Sequence, residues 1–233
     1  MAQHSPPPVP GPAPEPVPQS VRAQILATEH WGLLAVRSQT WSEVMGRITS
    51  QLMFTSATLL FLALAGPALS YSPTFRLLAI ALGLTLLVAG TLTAFRVHNA
   101  SQEDYMFLKG MNRLRAAYVD IDPTLAPYFI TGLTDDEAGI LQTYMMGAPR
   151  RGASQILASS SMFIVVVNTL VAAGVTAFVL WPWGPWITAV GATVVGAAHF
   201  AAWIWLGWRA WQVNLDPAHI RFPARPPWSD PLS

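Results

Sequence analysis

The sequence predicts an all-α, polytopic membrane protein with four transmembrane helices in two hairpins and a small helical cytosolic domain. Hydrophobic residues make up 52% of the 233 residues and charged residues only 11%, whereas a soluble domain carries about 25% charged residues. The apolar residues fall into four blocks, each long enough to cross a hydrocarbon layer of about 30 Å. No block contains Asp, Glu, Lys or Arg, and one such residue at the centre of a span costs about 2.5 to 3.5 kcal/mol.

The composition also restricts the chemistry. The chain has no cysteine, which excludes disulfides, thiolate metal sites and cysteine nucleophiles. One lysine and twelve arginines form no contiguous basic patch, so nucleic acid is not an expected partner. The sequence contains no Gly-rich phosphate loop, no Gly-x-Ser-x-Gly motif and no His-Glu-x-x-His motif. We therefore expect a non-enzymatic protein without catalytic, cofactor-binding or metal-binding residues.

Two segments precede the first span. Residues 1–19 contain eight prolines and too little apolar surface to offset the entropy of ordering, so we expect a disordered Pro-rich tail and not a targeting segment. A ligand for a proline-binding module is the alternative. In residues 20–47 apolar side chains recur at roughly helical steps, which predicts an amphipathic helix. It would lie at the membrane interface, with Trp31 and Trp41 at the headgroups, or pack in the cytosol against other helices.

The apolar blocks form two predicted hairpins, residues 48–95 and residues 155–208. The individual spans are expected at residues 48–69, 77–95, 156–180 and 187–208. The second hairpin turns at residues 181–186, where two prolines predict a tight link and three tryptophans predict an interfacial anchor. A carbohydrate or aromatic-cage site at these tryptophans is the alternative.

Small residues mark the expected contact faces of two spans. In the second and fourth spans they recur on one side of the helix, namely at Ala79, Gly83, Gly90, Ala94, Ala192 and Gly196. Short side chains let two helix backbones approach closely, and this pattern is common at helix contacts in membranes. It therefore favours a packed bundle or an oligomer over isolated helices.

Residues 96–154 are predicted to form a cytosolic helical segment. No proline interrupts residues 74–122, so we expect the second span to continue as one rod from Arg76 to Ile121. The rod should end at Asp122, because a residue before proline disfavours the helix. Its predicted apolar side contains Ala100, Phe107, Met111, Leu114, Tyr118 and Ile121, and its predicted polar side contains His98, Tyr105, Lys109, Asn112 and Asp120. We expect the segment before the first span to cover the apolar side.

A short helix is predicted after Thr134 and ends near Met146. Thr134 and Glu137 have the spacing of a capping box. The end of the helix is marked by Gly147 and Pro149.

Two acidic clusters allow a second interpretation of this region. They are formed by Asp120 with Asp122 and by Asp135 and Asp136 with Glu137. Carboxylates near the start of a helix complement the helix dipole, which is the simpler explanation for the second cluster. A Mg²⁺ or metal–nucleotide site of a membrane transferase is the alternative.

The basic residues predict the orientation. Twelve Lys and Arg residues lie before the first span, between the hairpins or after the last span, and one, Arg76, lies in a short link. Cytoplasmic segments carry the excess of Lys and Arg. We therefore expect a multi-pass protein of the cell inner (plasma) membrane with both termini cytoplasmic, ending in a Pro-rich tail over residues 209–233.

Asn168 and His199, in the third and fourth spans, are the candidate intramembrane site. Polar groups are costly in hydrocarbon and are commonly functional there. The two residues lie at similar predicted depths in antiparallel neighbours, so we expect both to face the bundle interior and to pair directly or through water. The alternatives are that His199 bonds a serine or threonine of the first span, and that these groups handle protons or ions.

Part of the sequence resembles an uncharacterised family of bacterial four-span integral membrane proteins. The similarity covers residues 30–210 and is carried by Arg96-Val-His-Asn99, Glu103-Asp-Tyr105, Met111-Asn-Arg-Leu-Arg115, Tyr118, Pro127-Tyr-Phe129 and Asp135-Asp136. The resemblance implies a bacterial protein and no known activity. The first hairpin with its cytosolic helix also looks like the two-span pore effectors of bacterial nucleotide-signalling conflict systems, a pattern from which the second hairpin departs.

The sequence therefore favours a non-enzymatic integral membrane protein that acts as a scaffold, a regulator or an oligomeric membrane component. Its expected partners are the lipid bilayer and either further copies of itself or other membrane proteins. The alternative is a gated pore or ion-conducting effector, lined by Ser159, Ser160, Ser161, Asn168 and His199.

Overall fold

The structure is a computed structural model that describes residues 17–146, 157–214 and 220–223. In this part of the chain all regular structure is helical, with five α-helices: α1 (Gln19–Ala68), α2 (Pro73–Ile121), α3 (Glu137–Tyr144), α4 (Ser160–Leu180) and α5 (Pro185–Asn214). Short 3₁₀ turns lie at Pro123–Tyr128 and Trp181–Trp183. Most of both predicted tails, the predicted helix end at Gly147 and Pro149, and the predicted start of the third span at residue 156 lie outside the described residues.

Four of the helices, α1, α2, α4 and α5, are each long and apolar enough to cross a membrane. This confirms the predicted fold class of four spanning helices in two hairpins. The second hairpin turns through Trp181–Trp183 and Gly184. Gly184 has a φ of 97°, which only glycine adopts without strain.

α1 is a single helix of 50 residues. The predicted boundary between an amphipathic helix ending at residue 47 and a span beginning at residue 48 is therefore not a break. Its only proline, Pro67, lies in the last turn, so no residue forces an interruption. Buried residues recur every three or four positions across the predicted boundary, at Thr40, Val44, Ile48 and Gln51. One continuous face of α1 thus packs on α2.

α2 is continuous for 49 residues, which confirms the predicted rod from Arg76 to Ile121. It ends at Asp122, whose backbone is extended and whose side chain accepts the Thr124 N–H at 2.9 Å. Pro123 explains this end, because a residue before proline avoids the helical region. At 1.5 Å per residue α2 is about 74 Å long, so it extends well beyond a hydrocarbon layer of about 30 Å.

The spanning helices pack in the order α1, α2, α4, α5, so α2 and α4 are the inner members of a row. Ala79 and Ala94 of α2 are each 2% exposed. A Cβ atom added to Gly196 of α5 would lie 3.4 Å from the Cβ atom of Ala173 on α4. The predicted small-residue contacts are confirmed at these positions, because the short side chains allow close backbone approach.

The parts of α1 and α2 beyond the spans pack with α3, the end of α5 and residues 220–223, and we call this part of the protein the extramembrane unit. Its core residues are Tyr105, Leu108, Met111 and Ile140, packed against Leu33 of α1 and Trp211 of α5. The ring of His30 on α1 also stacks on Tyr118 of α2. These contacts confirm that the segment before the first span covers α2.

The predicted polar side of α2 is buried too, which the amphipathic pattern does not predict. Tyr105, Lys109 and Asn112 are at most 3% exposed. The Tyr105 hydroxyl and the Lys109 Nζ both donate to the carbonyl oxygen of Asn214, at 3.1 and 3.3 Å. The end of α5 and α3 cover this side of the helix, so α2 is enclosed on more than one face.

We expect Met111→Asp to destabilise the folded chain by about 3 kcal/mol or more, since it places an unpaired carboxylate in an apolar core. Met111 is 1% exposed, whereas Met106 on the same helix is 52% exposed. Met106→Asp is therefore the matched control, with an expected change within about 0.5 kcal/mol. Thermal unfolding in detergent measures both variants. An unchanged midpoint in Met111→Asp would contradict docking of the extramembrane unit on α2.

Candidate functional site

A buried carboxylate lies where α1, α2 and α3 meet, at the base of the extramembrane unit. Asp104 of α2 is 2% exposed. Its Oδ1 accepts from the Nε of Arg37 at 2.6 Å and from the Nε1 of Trp41 at 2.7 Å, both on α1. Its Oδ2 accepts from the hydroxyl of Tyr144 on α3 at 3.2 Å. We call these four residues the boundary cluster, in which one carboxylate joins three helices.

The buried bonds of the boundary cluster matter more than the ion pairs on the nearby surface. Burial raises the pKa of the Tyr144 hydroxyl above its ordinary value, and the Asp104 carboxylate raises that pKa further. Tyr144 therefore stays protonated and continues to donate. On the surface, Arg96 pairs with Glu43 at 2.9 Å and with Glu103 at 3.0 Å, but exposed pairs contribute only about 0 to 1 kcal/mol.

A second buried carboxylate, Asp135, holds the residues that follow α5. Asp135 is 0% exposed and accepts from the Nε of Arg113 at 2.8 Å. It also accepts from the backbone N–H groups of Arg221 at 3.0 Å and Phe222 at 2.7 Å. Burial alone would raise the pKa of Asp135, but these amides and the guanidinium outweigh burial and hold the pKa below its ordinary value. Residues 220–223 are thereby attached to α2.

The start of α3 differs from the predicted capping box. Asp136, not Thr134, is the N-cap: its Oδ1 accepts from the Gly139 N–H at 2.9 Å and from the Thr134 hydroxyl at 2.7 Å. Glu137 is the first residue of the helix and not the third, so the reciprocal bond of a capping box does not apply. Asp135 precedes the helix, and its carboxylate accepts from Arg113 of α2 and from the amides of residues 221–222. The spacing of the acidic residues in the sequence does not reveal this tertiary contact.

Three of the five acidic residues in the two clusters have hydrogen-bond partners within the protein. Asp122 accepts from Thr124, and Asp135 and Asp136 have the partners described above. Among the described residues, no group of three or more His, Cys, Asp or Glu side chains is placed to hold a metal ion. A cavity of about 470 Å³ borders Asp135, Asp136 and Glu137, and residues 215–219, which connect two of its lining residues, lie outside the described residues.

Inside the spans, polar side chains from three helices meet at Gly90. Asn168 of α4 is 1% exposed and donates to the Thr91 hydroxyl of α2 at 3.1 Å. Gln51 of α1 is 3% exposed and donates to the Leu86 carbonyl at 3.1 Å. A Cβ atom on Gly90 would collide with Asn168 Oδ1 and would lie 3.0 Å from Gln51 Nε2. We call Gln51, Gly90, Thr91 and Asn168 the polar clamp, which links α1, α2 and α4.

His199 is not part of the polar clamp but lies between α4 and α5. Its Nδ1 is 2.8 Å from the Thr169 hydroxyl, and its Nε2 accepts from the Trp203 indole at 3.3 Å. An indole N–H only donates, so the neutral imidazole carries its proton on Nδ1. The predicted direct bond between Asn168 and His199 is wrong, and so is a bond from His199 to the first span. Asn168 and Thr169 are adjacent, and successive helical residues point about 100° apart, so each faces a different neighbour.

The other residues of the pore hypothesis also have local contacts. Ser159 caps α4 by accepting the Met162 N–H at 3.1 Å. The Ser161 hydroxyl lies 3.0 Å from the Ser101 hydroxyl of α2. Ser161, Asn168 and His199 thus lie at separate helix interfaces within one chain.

Sequence reasoning missed the roles of Gln51 and Asp104. Gln51 could have been found as the one amide in an otherwise apolar stretch, because an amide in hydrocarbon needs a partner. Asp104 lies on a buried stripe of α2, at helical spacing with Val97, Ala100, Leu108 and Met111. A carboxylate on an apolar stripe indicates a buried ion pair, and this was the available signal.

Comparison of the chain with models of protein families, with curated proteins and with solved structures gave no match. The resemblance to bacterial four-span membrane proteins therefore stays a prediction. The hydrogen bonds and burial of the boundary cluster and the polar clamp are therefore the basis for inferring their function.

We expect Gly90→Ala to destabilise the chain by about 1 to 3 kcal/mol, because the added methyl overpacks the contact between three helices. Gly174→Ala on α4 is the matched control, since a Cβ atom there meets nothing within 4 Å. The control should be neutral or slightly stabilising. Unfolding in mixed micelles measures both variants, and equal stabilities would show that the polar clamp does not depend on Gly90.

Acid is expected to release residues 220–223 from the extramembrane unit. Because the pKa of Asp135 is lower in the folded chain than in the unfolded chain, its carboxylate stabilises the fold above the unfolded pKa of about 3.9. This contribution is lost as the pH falls through the lower, folded pKa. Amide exchange at Arg221 and Phe222 measures the release.

The control variants separate this effect from general acid unfolding. Asp135→Ala, which removes both acceptor oxygens, should leave both amides poorly protected at every pH. Asp122→Asn, which alters an exposed carboxylate at the end of α2, should keep the wild-type profile. Full protection of both amides in Asp135→Ala at neutral pH would disprove the attachment.

Proposed function

We propose that the protein is a non-enzymatic scaffold or regulator in a bacterial inner (plasma) membrane, whose spans hold the extramembrane unit in a defined position. The boundary cluster is the observation that carries this proposal. Asp104 accepts from two residues of α1 and one of α3, and removing these donors would leave a buried carboxylate without partners, which is strongly unfavourable. The cluster thus holds α1, α2 and α3 together within the extramembrane unit, which the continuous helices α1 and α2 join to the spans.

We place the extramembrane unit and both chain termini on the cytoplasmic side. Twelve of the thirteen Lys and Arg residues lie in segments outside the short links, and cytoplasmic segments carry the excess of these residues. Arg76, at the opposite end of the spans, is the exception. A scaffold with this orientation would present its surface to cytoplasmic or membrane partners.

The outer helices of the row support association with further copies or with other membrane proteins. α1 exposes Phe54 and Leu64, at 64% and 69%, and α5 exposes Val194 and Trp205, at 60% and 59%. When the protein is monomeric, lipid covers these faces. An apolar helix of a second molecule can replace the lipid, because lipid chains and apolar side chains are equally apolar surroundings. The proposed role is therefore that of an oligomeric membrane component or a partner of one.

A gated pore remains the alternative function. Four helices in a row do not surround a lumen, so a pore would form between copies. Conductance separates the two functions: full-length protein in liposomes is expected to pass no more ions than empty liposomes. A pH-dependent flux that His199→Leu abolishes, in a variant that still folds, would favour the pore.

Crosslinking in native membranes tests the scaffold directly. Wild-type protein is expected to give defined adducts with its own copies or with other membrane proteins, and Asp104→Ala should lose them while still inserting. Glu43→Ala is the matched control, because it removes only exposed ion pairs that contribute about 0 to 1 kcal/mol. If Asp104→Ala keeps every adduct, the extramembrane unit does not act as the scaffold surface.

A further inference from the structure

A crevice of about 240 Å³ separates α1 from α4 along the surface of α2. Its lining includes Thr58 and Leu62 of α1, Ala79 and Gly83 of α2, and Gly174 and Phe178 of α4. Small residues of α2 and α4 leave this space open, while the neighbouring side chains are mostly apolar. In a membrane such a space is filled by something apolar, because water needs polar partners to occupy a cavity.

The crevice has two different ends. At one end is the polar clamp, since Gly90 lies one turn beyond the lining residue Leu86. At the other end, the ring of Phe178 packs 6.1 Å from that of Phe75, and Arg76 lies one turn beyond Ala79 on the same face of α2. Between the lining residues Val167 and Phe178, α4 rises about 16 Å, which is close to half of a hydrocarbon layer of about 30 Å. The crevice therefore has the depth of one lipid leaflet.

Arg76 has no ion pair with an acidic side chain in the part of the chain that the structure describes. It is the only Asp, Glu, Lys or Arg in residues 48–95 and 157–208, which include both short links. Its Nε is buried and has no hydrogen-bond partner among the described residues. It also lies in the first turn of α2, where the helix dipole disfavours a cation. An anion from the surroundings would satisfy this guanidinium.

We propose that the crevice binds one phospholipid, with its phosphate on Arg76 and one acyl chain between α1 and α4. Guanidinium groups bind phosphate through paired, charge-assisted hydrogen bonds. The acyl chain matches the crevice in polarity and depth, and the headgroup phosphate lies at the end of the span where Arg76 is found. This site does not depend on the scaffold role, and either proposal can fail without the other.

The experiment uses full-length protein, mixed with phosphatidylglycerol vesicles that contain an equal amount of diacylglycerol, extracted in mild detergent and weighed by native mass spectrometry. One phosphatidylglycerol should be retained per chain. Diacylglycerol with the same acyl chains should be retained about tenfold less, the effect of losing a charge-assisted hydrogen bond. Glycerol phosphate, which has the anion but no acyl chain, should not be retained.

Three variants locate the site. Gly174→Leu should abolish retention, because Gly174 lines the crevice and a Cβ atom there meets nothing within 4 Å, so the leucine fills the space without displacing a neighbour. Gly207→Leu adds the same side chain at an open position on α5 and should retain the lipid. Arg76→Gln should lose the preference for phosphatidylglycerol over diacylglycerol.

Several outcomes would overturn the proposal. One is full retention by Gly174→Leu at an unchanged unfolding temperature. Equal retention of phosphatidylglycerol and diacylglycerol by the wild type would refute phosphate recognition, and retention of glycerol phosphate would indicate a plain anion site. Should Gly174→Leu not fold, a photoreactive phosphatidylglycerol on the wild type decides the matter: adducts along the crevice support the site. Adducts elsewhere, or a second copy crosslinked within the crevice, refute it.

Discussion

Close contact along α2 is the constraint on which the arrangement of the helices depends. Apolar side chains gain little by leaving lipid for another helix, so tight packing and hydrogen bonds must supply the attraction between spans. Ala79, Gly90 and Ala94 give α2 the narrow profile that lets its neighbours approach. Gln51 of α1 and Asn168 of α4 then both lie over the space that a Cβ atom of Gly90 would fill. The order of the helices, and the position of every group they carry, follows from this contact.

The charged groups are distributed by the same physical rule, since a charge leaves water only when it is paired. The ion pairs among the described residues lie in the extramembrane unit or at its base. Asp104 and Asp135 each collect donors from separate parts of the chain. They act as attachment points for α1 and α3 and for residues 220–223. The opposite end of the spans has only Arg76, so the two ends differ in chemistry: one is held by internal ion pairs, and the other is open to the membrane surface.

The elements of this fold could be predicted from the sequence because their determinants are local. Four apolar stretches without charged residues define the spans, because charged residues are costly in the hydrocarbon layer. Pro123 ends α2 by its effect on Asp122, and the small residues of α2 identify a contact face without naming the partner. The predicted boundary at residue 47 does not interrupt the helix, because the packed face of α1 continues through Val44 and Ile48.

Only the tertiary structure decided which polar groups meet. Counting residues along each span gives the depth of a side chain in the membrane, and by this count Asn168 and His199 lie at similar depths. A hydrogen bond between them also depends on the rotation of each helix about its axis. That rotation directs Asn168 to α2 and Thr169 to α5. The sequence places Asp104 on an apolar stripe of α2 but does not identify its partners, and it becomes the junction of three helices because Arg37, Trp41 and Tyr144 arrive from distant segments. The sequence determined where helices form, and packing determined which of their faces touch.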